Sequence, residues 1–186
     1  DPAFVESVAA AGIRSFVMTL FGPGPEVHDR IAGRDGAFVD LMAAIGHLDR
    51  LGLERFLRTV VVPHNLGCFG QILDLARSLG ARPEVTLLDG RSARSGGTLV
   101  RLSDFVAVLE AEKDRILATV SSLALVPVCV LPGWAAALLQ PQPYRDADEP
   151  MPDCCVTCSA ARSMCASVSA AYLAQFGPGG LRPLPS

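Results

Sequence analysis

The chain has 186 residues, enough to fill one core well and too few for two. Half of them are hydrophobic and 19% are charged, which excludes a disordered chain except at the tail, and a net charge of −3 gives no electrostatic footprint for nucleic acid. No basic segment followed by an apolar core, as in an export signal, opens the sequence at Asp1, so the six cysteines are expected to be reduced thiols in a cytoplasmic protein.

Residues 5–11 read as the last turns of a helix stopped by Gly12. SFVMTLF at 15–21 is short and rich in β-branched and aromatic residues, the pattern of a strand buried on both faces. GPGPEVHDRIAGRDGAF at 22–38 carries two prolines and four glycines, which predicts a loop at the functional end of that strand. From 38 to 51, Phe38, Leu41, Met42, Ile45 and Leu48 recur at three and four, an amphipathic helix that Gly52 ends. The unit repeats: strand 56–62, loop 63–67 and helix 71–79, then strand 85–88, loop 89–97 and helix 104–120 with Ser103 as N-cap, then a fourth strand at 123–131.

Regular alternation of strand and helix means parallel strands with right-handed crossovers, hence an α/β fold that is either an open doubly wound sheet or part of a βα barrel. In both, chemistry sits at the carboxyl ends of the strands. No G-x-G-x-x-G follows a strand, and GPGP cannot cradle a phosphate because proline lacks the needed N–H. The apolar run 121–139 is near the length of a membrane span, but Pro127, Pro132 and Gly133 interrupt it and no basic flank adjoins it. It reads as a buried strand, a turn and a short helix, with no membrane partner. Beyond residue 139 the composition shifts: 140–153 is expected to be a linker, 161–176 a helix and 177–186 an irregular tail. The organisation expected is therefore 1–139 as the α/β unit and 140–186 as linker plus cysteine-rich segment.

That segment, PDCCVTCSAARSMC, places Cys154, Cys155, Cys158 and Cys165 within twelve residues, a spacing that lets one loop turn its sulfurs toward a point, as in a metal or iron–sulfur site. Disulfides there would need an oxidising compartment and would close only tiny loops. Spacing does not decide between zinc and iron–sulfur, although zinc often recruits His and none is near. Cys129, in LALVPVCVLPGW, can supply a further sulfur if the fold brings it back. Adjacent Cys154 and Cys155 can hardly share one metal, so one of the two is expected to be a spare.

The order MTLFG, HDRIAG, DGAF and then TVVVPHN ending at Asn65 resembles the radical SAM superfamily, in particular the branch with an added C-terminal iron–sulfur region called SPASM or twitch. The closing Cys-x-x-Cys, six residues, Cys, then Tyr172, Phe176 and Gly177 is similar to the same branch. The resemblance implies a βα barrel, of which these strands are the fourth onward, and an oxidoreductase that uses S-adenosyl-L-methionine to make a substrate radical. It implies that Thr19 offers a hydroxyl and Arg30 a guanidinium to that cofactor, with Asn65 either meeting it or closing a turn. It further implies an auxiliary [4Fe–4S] cluster on the cysteines, an electron donor such as a flavodoxin or ferredoxin, and a substrate that in some relatives is a peptide. The Cys-x-x-x-Cys-x-x-Cys that holds the catalytic cluster in that family does not occur in this sequence, so the chain is expected to be the C-terminal half of such an enzyme, inactive alone.

Plainer readings stand beside these. Thr19 is also an ordinary strand residue, Arg30 a surface cation, His28 a hydrogen-bonded loop anchor and Cys68 a small buried side chain. His47 and His64 show no evident partner in the sequence. Asp89 and Arg91 either touch substrate or pair with each other, and Tyr172 and Phe176, four apart, are expected to pack. The alternative function is a zinc-stabilised structural or interaction module. A metal-free hydrolase or aldolase-like domain has neither a G-x-S-x-G elbow nor a strand-end lysine to support it.

Overall fold

The computed structural model describes residues 2–88, 99–141, 152–161, 165, 168–182 and 184. Four strands, β1 (Ser15–Thr19), β2 (Glu54–Val61), β3 (Glu84–Leu87) and β4 (Ser122–Ala124), form one sheet in the order β1-β2-β3-β4, every neighbouring pair parallel. A doubly wound sheet reverses its strand order at a switch point, whereas this sheet runs strictly in sequence, as the arc of a βα barrel does. The expected α/β fold with about four parallel strands, a partial βα barrel, is what the chain adopts.

Helices fill the crossovers: α1 (Pro2–Ala10), α2 (Pro25–Ala32), α3 (Ala37–Arg50), α4 (Pro63–Leu66), α5 (Phe69–Ser78), α6 (Leu102–Ala111) and α7 (Lys113–Thr119). Two shorter helices, α8 (Asp153–Val156) and α9 (Ala170–Phe176), close the chain. The alternation of β2 sends Leu57, Thr59 and Val61 to the helix side, where Val85, Leu87 and Leu123 join them in burial. Leu20, Ile45, Leu57 and Ile72 make one apolar cluster; Phe69, Phe105, Leu109, Ile116, Leu123 and Tyr172 belong to a second. Each such side chain, fully buried, stabilises the fold by about 1.5–3 kcal/mol.

The opposite face is open at β1 and β2. Val17 is 63% exposed and its register partner Phe56 is 53% exposed, so the first strand is not buried on both faces as its composition suggests. On the same face, Arg58 of β2 reaches Glu84 of β3 at 2.6 Å. A face carrying Val17, Phe56 and an ion pair corresponds to the inward side of an arc of a βα barrel.

Several elements differ from the sequence reading for local reasons. The stretch 22–38 is not all loop. Pro25 sits at the first position of α2, where its missing N–H costs nothing, and Gly33 ends the helix at φ 69°, so proline and glycine bound the element instead of breaking it. The expected helix 104–120 is two helices parted at Glu112, whose φ of −105° and ψ of 15° leave the helical range, and Arg101 rather than Ser103 holds the N-cap position. There Glu112 pairs with Arg115, which reaches back to Asp74 of α5 at 3.1 Å. The fourth strand stops at Ala124 because Leu125 takes a positive φ of 57° and Pro127 and Pro132 remove ladder donors; 3-10 turns at Val128–Val130 and Gly133–Leu138 replace it. The last helix begins at Ala170, not 161, where the Ser169 hydroxyl accepts the Tyr172 N–H at 3.1 Å. The expected loop 89–97 and most of the linker lie outside the described residues. Among the described residues no helix is long and apolar enough to cross a membrane.

Candidate functional site

Two places gather chemistry: the carboxyl ends of β1 and β2, and the cysteine segment. At the first, Leu20 N–H continues the parallel ladder to Arg58 O at 2.8 Å and the chain then turns through Phe21 and Gly22 into α2. Phe21 N–H donates to Nδ1 of His28 at 3.1 Å, which places the proton of the neutral imidazole on Nε2. The imidazole is buried between the Phe21 and Phe38 rings, each with its centroid 5.6 Å away. Burial pulls its pKa below the ordinary value, and the neighbouring Asp29 charge opposes this. The Asp29 carboxylate accepts Gly36 N–H and Phe38 N–H, both at 2.7 Å, at the start of α3. The first two residues of HDRIAG therefore fasten the strand end and the next helix.

Asn65 does the corresponding work on β2. It is fully buried, its amide donates to Phe21 O and Val60 O at 2.9 Å each, and its Oδ1 accepts Val62 N–H at 2.8 Å. Both donors are thus committed within the protein, and the side chain ties the ends of β1 and β2 together. Cys68 completes the corner: its thiol donates to Asn65 O at 3.4 Å, and burial raises its pKa, its own backbone N–H opposing.

Thr19, the last residue of β1, is half-buried on the open face shared with Val17, and its hydroxyl has no hydrogen bond among the described residues. Arg30 is exposed in the last turn of α2. It lies two residues after His28, about 200° round the helix, hence on the side opposite the imidazole that faces the strand end. His47 meets Arg50 at 3.2 Å, and His64 is exposed. Asp89 and Arg91 lie outside the described residues.

In the second place, three tight backbone bonds, Cys155 N–H to Pro152 O at 2.7 Å, Cys158 N–H to Cys155 O at 3.1 Å and Cys165 N–H to Ala160 O at 3.0 Å, wrap α8 and the following turn. Cys155 and Cys165 are buried; Cys129, on the 3-10 turn after β4, and Cys158 are half-buried. These four and Cys68 are thiols in no disulfide. Burial pushes the Cys129 thiol above its ordinary pKa, against a hydrogen bond from the Arg182 backbone, and negative charge on Cys165, Cys155 or Cys158 would push it further. The Arg182 backbone meets the Cys129 thiol and the Leu184 carbonyl accepts Ser159 N–H at 3.3 Å, so the tail runs from Cys129 to the cysteine segment. An all-sulfur donor set suits iron–sulfur or zinc. Among the described residues no group of three or more His, Cys, Asp or Glu side chains is arranged to hold a metal ion. The Cys154 side chain lies outside the described part.

His28 lies in α2 and Asn65 in α4 rather than in loops, and of the two readings of Asn65 its three hydrogen bonds are those of the residue that closes a turn. The signal was available in PHNLG, where an Asn two residues after a helix-starting proline can reach back to the strand's last N–H.

No family model matches the chain. It is similar to two proteins named AdoMet-dependent heme synthase, from Oleidesulfovibrio alaskensis (32% identity over 105 residues, 55% of this chain and 27% of that protein) and Nitratidesulfovibrio vulgaris (31% over 116 residues, 62% and 30%). It is also similar to a PqqA peptide cyclase of Ruegeria pomeroyi (33% over 81 residues, 44% and 22%). The chain spans less than a third of the length of the curated relatives it matches. Those relatives are radical SAM enzymes of the SPASM type, and the likeness of this chain to that superfamily, first drawn from the motifs around Thr19 and Asn65, is thereby borne out.

Proposed function

We propose that this chain is the C-terminal part of the barrel, with an auxiliary-cluster segment, of an enzyme that uses S-adenosyl-L-methionine to make a radical on its substrate. The observation that carries the reading is the sheet: four parallel strands in strict order, helices on one side, and an open inner face that ends at Thr19. Thr19 offers a hydroxyl from a rigid strand end. Arg30, on the side of α2 away from the strand end, meets a carboxylate at this corner only by bringing its guanidinium round the end of the helix, and Asn65 shapes the corner on which the cofactor rests. His28 and Asp29 hold the same corner without touching it.

Cys129, Cys155, Cys158 and Cys165 would hold an iron–sulfur cluster, with Cys154 as the spare. When bound, such a cluster supplies a one-electron centre, and a flavodoxin or ferredoxin is the matching class of donor. A peptide is the substrate class suggested by the cyclase relative. Alone, without the cysteine motif of a catalytic cluster, the chain is expected not to cleave the sulfonium.

Anaerobic reconstitution of the chain with iron and sulfide tests the reading. The expected product is a brown protein with about four irons and broad thiolate-to-iron absorption, lost in Cys158→Ala. A colourless protein that takes one zinc ion would overturn it in favour of the structural module. Thr19→Val and Arg30→Ala should each weaken binding of S-adenosylhomocysteine, read by calorimetry, by about tenfold, the equivalent of one good hydrogen bond.

A further inference from the structure

A cavity of about 360 Å³ runs along α6 beside the 3-10 turn that carries Cys129, away from the open face where Thr19 lies. Ser103, Val106 and Glu110, spaced three and four apart, give it one helix face, and Leu131, Tyr172 and the turn at Gly179–Gly180 close it opposite. α6 and the 3-10 turn that line it follow β3 and β4 in the chain. Its size is within the range of small-molecule sites.

Its charge is divided. Arg101, just before α6, and Arg182, on the returning tail, both line it. The Arg101 guanidinium lies 4.7 Å from the centre of the Phe176 ring, which holds it in one orientation. Neither arginine forms an ion pair among the described residues. Glu110, about 13 Å from Arg101 along the helix axis, lines it too and accepts the Trp134 indole N–H at 3.2 Å. Two guanidiniums, one committed carboxylate and the apolar Val106, Leu131, Pro132 and Tyr172 make a lining suited to an anion with an apolar body.

We propose that this cavity binds a small organic carboxylate, its anion on Arg101 and Arg182 and its apolar part along Val106 and Leu131. The site is separate from the one assigned to S-adenosylmethionine and does not depend on metal at the thiols. The occupant lies against the Cys129 side of the cysteine segment, which makes the cavity a second entry for a ligand into that region.

The test titrates the 186-residue chain with 4-phenylbutyrate and, in parallel, with its neutral amide, following amide shifts by NMR. Saturable binding of the acid is expected in the millimolar range, with the amide at least tenfold weaker. Arg101→Ala and Arg182→Ala should each weaken the acid at least fivefold, and Val106→Trp should abolish binding while the far-UV circular dichroism stays native. Glu110→Gln should leave the affinity equal or raise it. Equal binding of acid and amide, wild-type affinity in both arginine variants, or no saturation by about 20 mM acid would each overturn the proposal. Arg182 lies on the tail in an exposed position, so its variant keeps the test readable even if Arg101→Ala loosens the packing against Phe176.

Discussion

The strand-end corner and the cysteine segment hold polar groups in opposite ways. At the corner, Asn65 makes three hydrogen bonds, His28 Nδ1 takes a backbone N–H and Asp29 takes two, so the buried polar groups there find their partners inside the protein. At the segment, four thiols stand near one another, and thiols are weak hydrogen-bonding groups that gain little from each other's company. The first region is complete as a folded object. The second carries an all-sulfur donor set, and at Cys129 burial raises the thiol above its ordinary pKa.

The largest break in this comparison comes from Asn65→Ala. It leaves Val62 N–H, Phe21 O and Val60 O without their partner in a fully buried corner, and a loss of about 3–5 kcal/mol is expected in urea denaturation. Cys158→Ala, measured on metal-free protein, is expected to cost less than about 1 kcal/mol, because the half-buried thiol has no metal to lose there. Similar costs for the two would erase the distinction between the regions.

Glycine contacts sharpen it. A Cβ on Gly22 would lie 2.7 Å from the backbone nitrogen of His28 and from Val27 Cβ, atoms that cannot yield without moving α2. A Cβ on Gly70 would lie 2.5 Å from Arg115 Nη1 and 2.6 Å from Glu112 Oε1, the far ends of flexible side chains. Gly22→Ala should therefore destabilise by about 1–3 kcal/mol and Gly70→Ala by a few tenths, the ranking to be read from paired thermal melts. The reverse ranking would mean that the β1–α2 corner is loose.

The corner also carries a pH signature. His28 is held neutral with a pKa below its ordinary 6.5, so between the two values the unfolded chain binds a proton that the folded chain refuses. Its contribution is complete above pH 6.5 and is lost as the pH falls toward the folded value, with Asp29 the charged neighbour that moderates the loss. The wild type should lose stability between pH 7 and pH 5 more steeply than His28→Asn, which keeps an acceptor near Nδ1 and has no proton to take up. Equal slopes would show that the imidazole does not control this corner.

Legibility in the sequence follows the range of the forces. The period of Phe38, Leu41, Met42, Ile45 and Leu48 and the β-branched run before Val62 are local, and α3 and β2 lie where they point. The parallel order follows from alternation alone. Misread elements are those decided by distant contacts: the split at Glu112 answers to Asp74 on α5, and the short β4 to prolines whose effect depends on what they pack against. Proline and glycine in 22–38 were read as breakers when they mark the two ends of a helix. At the thiols, spacing predicts sulfurs turned toward one point, and among the described residues no group of three or more is arranged to hold a metal ion; where Cys129 lies depends on the whole crossover from β4.

A more local effect is expected where α6 meets the chain that follows the cysteines. Tyr172, on α9 just beyond the cysteines, stacks on Phe176 with ring centroids 5.0 Å apart and accepts the buried Leu102 N–H at 3.1 Å, at the first residue of α6. Tyr172→Phe keeps the ring and its packing and removes only the oxygen, so the loss is one acceptor for one buried donor, about 1–2 kcal/mol. Amide exchange should locate it: Leu102 is expected to lose protection while Leu57 and Val61, in the sheet, keep theirs. If instead the whole sheet exchanged faster, the cysteine segment would belong to the same cooperative unit as the strands, and the boundary between a finished corner and the thiol segment would have to be drawn elsewhere.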